Sequence, residues 1–401
     1  MNKLPLIQLP NPKIKGYATV CLYVAHSTFE EPSDMAGVNH LLEHVLSTND
    51  EIDKDIARLG LEQNAETHGG FVRYWFSTPP QHLNFCLKYL FKIANNPSFK
   101  NVKREAHAVR QELISLLSTT DYHTELAALK VLFPNSSYLR GNNVKDMLKV
   151  LPRLNSKNLK KYYEKYYKNK MFIVISGAKQ LPNFEQTRNV GARFKIPRMM
   201  TSILPNNKKI IHIKRPEVEK SQCKLVFYNK PVEKNIKNKT RDTIHISTRI
   251  LASGLDSLLY RILRGKLRLV YSVSCDAFVE PYGTLIEIEW SCDTDKVERC
   301  LKAVQTVIRN FTPHHFNGHR DLYLEQMVRY SVLTSKDIVE LYGEELVTWG
   351  KYEPVDRVIR GVKKIKASQV ASVVKAYMNP ARCFMVHASS RGKAPINRLV
   401  K

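Results

Sequence analysis

Residues 35–50, MAGVNHLLEHVLSTND, place His40 and His44 four apart, with Glu43 directly before the second histidine. On an α-helix positions i and i+4 share a face, so the two imidazoles can aim at one point. Two imidazoles leave a zinc ion short of ligands, because a catalytic zinc takes three protein ligands and keeps one position open. Glu43 could serve there as general base toward water without coordinating the ion. The order H-x-x-E-H is the inverted form of a zinc-protease signature. Five residues on an amphipathic helix also fit two surface histidines, so the reading stands or falls on a further ligand.

The segment NVKREAHAVRQELISLL (101–117) carries Glu105 and Glu112 seven residues apart. Seven residues are two helical turns, so both carboxylates point the same way. Glu112 could be the third ligand, with Glu105 orienting the histidines or water. Two surface glutamates among Lys103, Arg104 and Arg110 would give the same pattern.

Other elements must bring these two helices together. YATVCLYV (17–24) alternates as a strand, and SDMAGVNHLLEHVLS (33–47) follows with helical spacing, Ser33 or Asp34 standing as its cap. LEQNAETH and FVRYWFST (61–78) form a hairpin about Gly69-Gly70. Helices are expected near 81–95, 98–118, 121–132 and 155–167, before the strand MFIVISG. The second half opens with strands IIHIK and KLVFYN. Helices near 239–253 and 255–264, a strand pair at 269–278 and 283–291, and helices within 293–348 follow.

YYEKYYKNKMFIVISGA (162–178) and VVKAYMNPARCFMVHAS (373–389) each run helix, tyrosine, asparagine turn and hydrophobic strand. Tyr167 and Asn169 match Tyr377 and Asn379 at a separation of 210 residues. Two copies of one unit are the simplest account. The fold class is α+β, as two homologous α/β-sandwich units in tandem, each an antiparallel-rich sheet with helices on one side. The units span 1–195 and 196–401, joined by a Pro- and Gly-containing linker at about 178–209.

The residues in this order resemble the insulinase/pitrilysin zinc metallopeptidases, which include the mitochondrial processing peptidases. In that family an H-x-x-E-H helix is followed by a strand with N-A-x-T and a helix with two glutamates seven apart. Here these read HLLEH, NAET (64–67) and REAHAVRQE. The resemblance implies one zinc held by His40, His44 and Glu112, Glu43 as general base and Glu105 as supporting glutamate. It implies that Asn64 and Ala65 bind substrate backbone on an edge strand. LASGLDSLLYRILRGKLRLVYSVS (251–274) is similar to the family's C-terminal segment, which implies that Arg264 and Tyr271 face the zinc and donate hydrogen bonds to substrate carbonyls and the oxyanion. An Arg ending a helix and a Tyr starting a strand would be the purely structural reading of that pair. The connection from His44 to Glu112 is somewhat shorter than is usual in the family, which affects the rim of the site. The family closes a chamber from four such units, so a two-unit chain implies a homodimer or a heterodimer with a related subunit, acting on peptides or small unfolded proteins.

Composition narrows the alternatives. A hydrophobic fraction of 43% with 25% charged residues is that of a globular protein. No apolar run is long enough to span a membrane, and prolines and lysines interrupt the N-terminal segment before a signal core could form. Seven scattered cysteines without a C-x-x-C pair read as reduced thiols, and the expected location is cytoplasmic. Of the net charge of +26, the stretch 151–250 supplies +18, from 24 Lys/Arg against 6 Asp/Glu. That surplus could steer acidic peptides such as leader segments, bind nucleic acid, or be plain solvated surface. No nucleic-acid motif accompanies it, and the tyrosines of KKYYEKYYKNK fall at helical spacing. The rival within the family is a non-catalytic partner subunit, against which the full set of site residues speaks.

Overall fold

The computed structural model describes residues 4–10, 16–48, 50–178, 199, 209–232, 237–316, 321, 323–325, 333–392 and 399. The first half runs β1 (Leu6–Gln8), β2 (Ala18–Val24), α1 (Val38–Ser47), α2 (Asp50–Leu59), β3 (Glu62–Thr67), β4 (Val72–Thr78), α3 (Leu83–Asn95), α4 (Val102–Ser118), α5 (Thr120–Leu132), α6 (Ser137–Gly141), α7 (Val144–Val150), α8 (Ser156–Tyr162) and β5 (Met171–Ser176). The second half runs β6 (Ile210–Lys214), β7 (Ser221–Asn229), α9 (Lys237–Ala252), β8 (Val273–Glu280), β9 (Gly283–Cys292), α10 (Val297–Arg309), α11 (Ser335–Trp349), α12 (Val355–Lys363), α13 (Ala367–Tyr377) and β10 (Cys383–Ser389).

Among the described residues two five-stranded sheets result, in the orders β1-β5-β2-β4-β3 and β6-β10-β7-β9-β8. Each has one parallel pair, β1 with β5 and β6 with β10, and is otherwise antiparallel. The order is the same in both once the strands are counted from each unit's start, which is the structural form of the internal repeat. The 210-residue match falls where Tyr167 leads into β5 and Tyr377 into β10.

β2 and β5 are buried along their whole length, because both faces of the sheet are covered. Alternation along β2 divides the work. Val20 lies on the face of its partner Phe76, whose ring packs edge-on against Tyr89 of α3. Thr19 and Tyr23 point the other way, to α11, through a contact with Ser335 Oγ (2.8 Å) and a Tyr23 hydroxyl donated to Val339 O (3.2 Å). Gly343 permits that approach, since a Cβ there would lie 2.5 Å from the Tyr23 ring. The helices close in sequence therefore cover one face, as the α+β pattern implies, and a helix more than 250 residues away covers the other.

The same happens in the second sheet, where α5 supplies Glu125 to Lys224 of β7. The compact units are consequently discontinuous. The first comprises Met1–Leu116, Asn135–Pro197 and Arg329–Glu353, and the second Leu117–Pro134, Arg198–Val328 and Pro354–Lys401. A single division near residue 195 separates the two sheets but assigns α5 and α11 to the other unit. The expected linker at 178–209 lies almost wholly outside the described residues. Among the described residues no helix is long and apolar enough to cross a membrane, and the seven cysteines are buried free thiols.

Candidate metal centre

α1 begins differently from the expectation that Ser33 or Asp34 caps it. Ser33–Met35 is a separate 3-10 turn, and the N-cap is Gly37, held at φ 80°. That backbone conformation favours glycine, and a Cβ there would meet Met147 at 2.8 Å. The open N–H groups of the first turn are satisfied by Glu31, whose buried carboxylate accepts from Gly37 N (2.7 Å) and Asn39 N (3.0 Å). Asn39 is itself buried, and its Oδ1 accepts from the hydroxyls of Tyr167 (3.0 Å) and Tyr162 (3.3 Å). Leu41, Leu42, Val45 and Leu46 bury the core face of α1, which leaves His40 and His44 on the opposite side, half-buried.

α4 lies alongside with Glu105 buried and Glu112 exposed. Glu112 Oε2 is 3.3 Å from His40 Nε2 and 3.4 Å from His44 Nε2. One donor atom from each of the three residues lies within 4.8 Å of the other two. The donors fit zinc in type, and the two imidazole–carboxylate separations fit in distance: bonds of about 2.05 Å in a tetrahedral shell place neighbouring donors roughly 3.3 Å apart. His44 Nδ1 faces Glu105 Oε2 at 3.7 Å, and Arg104 Nε donates to the other Glu105 oxygen at 3.0 Å. Nε2 of His44 is therefore the nitrogen turned to Glu112, with the Glu105 carboxylate on the other side of the ring.

Glu43 is buried beside the histidines and accepts from the Thr67 hydroxyl at 3.2 Å. Burial pushes its carboxyl up to about 7. Burial also pulls His40 below its ordinary value, with His44 adding to the effect. A cleft of about 420 Å³ opens over these groups, and Asn64, Ala65, Gln63 and Ser47 share its lining with His40, Glu43, His44 and Glu112. Asn64 and Ala65 lie on β3, which among the described residues pairs with β4 alone and forms the edge of its sheet. Glu31, Asn39, Thr67, Gln63 and Ser47 were not singled out from the sequence. Thr67 lay within the NAET stretch; the others carry no spacing signal, since their roles arise through contacts distant in the chain.

Two family models match the chain: Insulinase (Peptidase family M16) over residues 8–130, and Peptidase M16 inactive domain over residues 153–317. The chain belongs to the insulinase family. An uncharacterized zinc protease of Rickettsia felis is 21% identical over 403 residues, covering 92% of this chain and 91% of that protein. The A-factor-processing enzyme of Saccharomyces cerevisiae is 26% identical over 180 residues, 42% of this chain but 17% of the yeast protein, so the match spans a small part of that relative. Among solved structures, a protease from Helicobacter pylori superposes with a TM-score of 0.80 at 15% identity, covering 97% of both chains, and shows the shared fold.

The region matched to the inactive-domain model holds the other two expected site residues. Arg264 lies in a π-helical segment, Tyr260–Lys266, and Tyr271 precedes β8. The two side chains are brought together: the Arg264 guanidinium stacks on the Tyr271 ring at 4.6 Å and donates to the Tyr271 carbonyl at 2.8 Å. Tyr271 is 74% exposed, an unusual placement for a large aromatic ring. The pair belongs to the second unit, and the triad to the first.

Proposed function

We propose that the chain is a zinc-dependent endopeptidase. The observation that carries the reading is the convergence of His40, His44 and Glu112 from two helices on one point, with the Glu43 carboxyl beside them in a cleft bordered by an edge strand. His40, His44 and Glu112 would hold one zinc per chain, which when bound would supply Lewis acidity toward a peptide carbonyl and lower the pKa of water. Glu43 takes the proton from the attacking water and delivers it to the leaving amine. Glu105 holds His44 in orientation. Asn64 and Ala65 accept an extended peptide as an added strand on β3, a mode that reads main chain and tolerates varied side chains. Arg264 and Tyr271 supply hydrogen-bond donors to substrate carbonyls and the oxyanion.

Two units per chain favour assembly of a homodimer or a heterodimer with a related subunit, closing a chamber that admits peptides and small unfolded proteins. The surplus of positive charge favours acidic leader or precursor peptides. Buried free thiols fit a reducing compartment such as the cytoplasm. The second reading, a non-catalytic subunit that positions substrate for a partner, is favoured by the description of the second domain model as inactive; presence of the whole donor set in the first domain weighs against it. Zinc per chain and peptide cleavage in the parent, Glu112→Ala and Glu43→Gln proteins separate the two. The peptidase reading requires about one zinc and cleavage in the parent, zinc lost in the first variant, and zinc kept without cleavage in the second. Bound zinc without cleavage by the purified parent, alone or as its own dimer, would favour the subunit reading.

A further inference from the structure

Two residues that line the metal cleft, Ser47 and Gln63, have no part in the proposed chemistry, and both present surface to it: Ser47 is half-buried and Gln63 exposed. Helix and strand periods account for their placement. His40, His44 and Ser47 stand at i, i+4 and i+7 on α1, so Ser47 continues the histidine stripe by one turn. On β3 alternate residues share a face. The Thr67 hydroxyl donates to Glu43 of α1 (3.2 Å), which marks the face of Thr67, Ala65 and Gln63 as the one turned to that helix. Glu66 points the other way and binds its cross-strand partner Arg73. Ser47 from the helix and Gln63 from the strand therefore line one cleft, and between Gln63 and Thr67 the strand offers only the Ala65 methyl.

The groups offered there are polar. The Ser47 hydroxyl donates to His44 O (3.2 Å), so what it presents to a ligand is an acceptor lone pair. The Gln63 carboxamide presents both donors and an acceptor. Ala65 is the one apolar residue in the lining. A leucine or phenylalanine side chain entering the cleft would take water from Ser47 and Gln63 and gain almost no apolar contact in return. A carboxamide would replace that water with matched hydrogen bonds, one donated to Ser47 Oγ and others exchanged with the Gln63 amide.

An extended peptide lying along β3 turns successive side chains to opposite sides, so one of the two residues flanking the scissile bond faces α1. Resting on the peptidase reading, we propose that Ser47 and Gln63 are specificity-determining residues that select asparagine or glutamine at that position of the substrate.

Digestion of a mixture of peptides of known sequence by the full-length, zinc-loaded chain, with the cut sites read by mass spectrometry, tests it. At one of the two flanking positions Asn and Gln should be cut about tenfold faster than Leu and Phe, the discrimination that about one hydrogen bond supplies. Gln63→Leu should bring that ratio to about unity or reverse it, and Ser47→Ala should narrow it by about threefold, both with the zinc content of the parent. Gln63 is an exposed position, so its variant reads the preference even where Ser47→Ala fails to fold. Leu and Phe cut as fast as Asn and Gln at both flanking positions, or a ratio that neither folded variant moves, overturns the assignment and leaves the peptidase reading standing. Failure of the zinc-loaded parent to cut any peptide overturns both.

Discussion

The two units share a strand order and differ in what their first long helix presents. In the first unit α1 sets His40 and His44 one turn apart over the edge strand β3, whose residues Glu62, Gln63 and Asn64 are exposed. In the second unit α9 and β8 occupy the same places in the topology. The histidine of α9, His245, is half-buried one turn from both Arg241 and Arg249, and desolvation followed by these two charges pulls it down to about 4. A single neutral imidazole offers one ligand where a zinc site takes three, and the two guanidinium charges beside it disfavour a cation. β8 likewise turns Val273 and Cys275 into the core. The topology therefore fixes where a helix and an edge strand meet, and the choice of side chains at i, i+3 and i+4 decides whether that meeting place is a metal centre or part of a wall.

A second contrast concerns buried cations. Arg73 on β4 is bound by Glu66 on β3 and by Glu344 (2.9 Å) and Glu340 (3.5 Å) on α11. Lys224 on β7 is bound by Glu125 on α5 (2.7 Å), Glu287 (2.9 Å) and Glu289 (2.9 Å). Burial works against the charge on Lys224, and the three carboxylates outweigh it, holding the ammonium well above its usual range. Each cluster ties a sheet to the helix that arrives from the distant part of the chain. In the first, Glu66 also accepts from the Asn64 amide at 3.2 Å, so the cluster braces an edge-strand residue that lines the cleft.

The sharpest way to separate the units is Glu112→Ala. Loss of nearly all bound zinc and of peptide cleavage, by at least about a thousandfold, is expected with helicity unchanged by circular dichroism. Zinc retained at one per chain would place the metal elsewhere. Glu43→Gln should keep the zinc and lower kcat by about 10²–10⁴, the usual contribution of a positioned general base. Lys224→Met strands the buried carboxylate of Glu287 and should destabilise the chain by about 3 kcal/mol in denaturant titrations, with kcat/KM per folded molecule preserved. A loss of activity matching that of Glu43→Gln would deny the contrast between the two cation clusters. Glu66→Gln should raise KM for an extended peptide several-fold with kcat nearly constant, because it loosens Asn64 and leaves the reacting groups in place. The smallest effect is Tyr167→Phe, which removes one of two hydroxyls on Asn39 and should cost about 1 kcal/mol while zinc content stays at the parent level.

Most of the local structure was legible. The hairpin at Gly69-Gly70, the helices bearing His40, His44, Glu105 and Glu112, and the repeat ending in β5 and β10 all follow from side-chain periodicity and turn residues, which depend on neighbours in the chain. The cap of α1 was not legible, because Glu31 reaches over six and eight residues to Gly37 N and Asn39 N, and nothing in Ser33 or Asp34 reveals that they form a separate turn. Nor were α6 and α7 foreseen; they are short and close the space behind α1 with Met147.

By itself the sequence determined the donors, their spacing on two helices and the doubling of one unit, because each is a matter of residue type and helical or strand period. Only the tertiary structure decided that Glu112 and both histidines share a point, since their convergence depends on how α4 packs beside α1. It alone decided that α5 and α11 exchange sheets. That exchange rests on buried charge and close packing between segments more than 95 residues apart, Glu125 with Lys224 and Tyr23 with Gly343, contacts that no local pattern encodes.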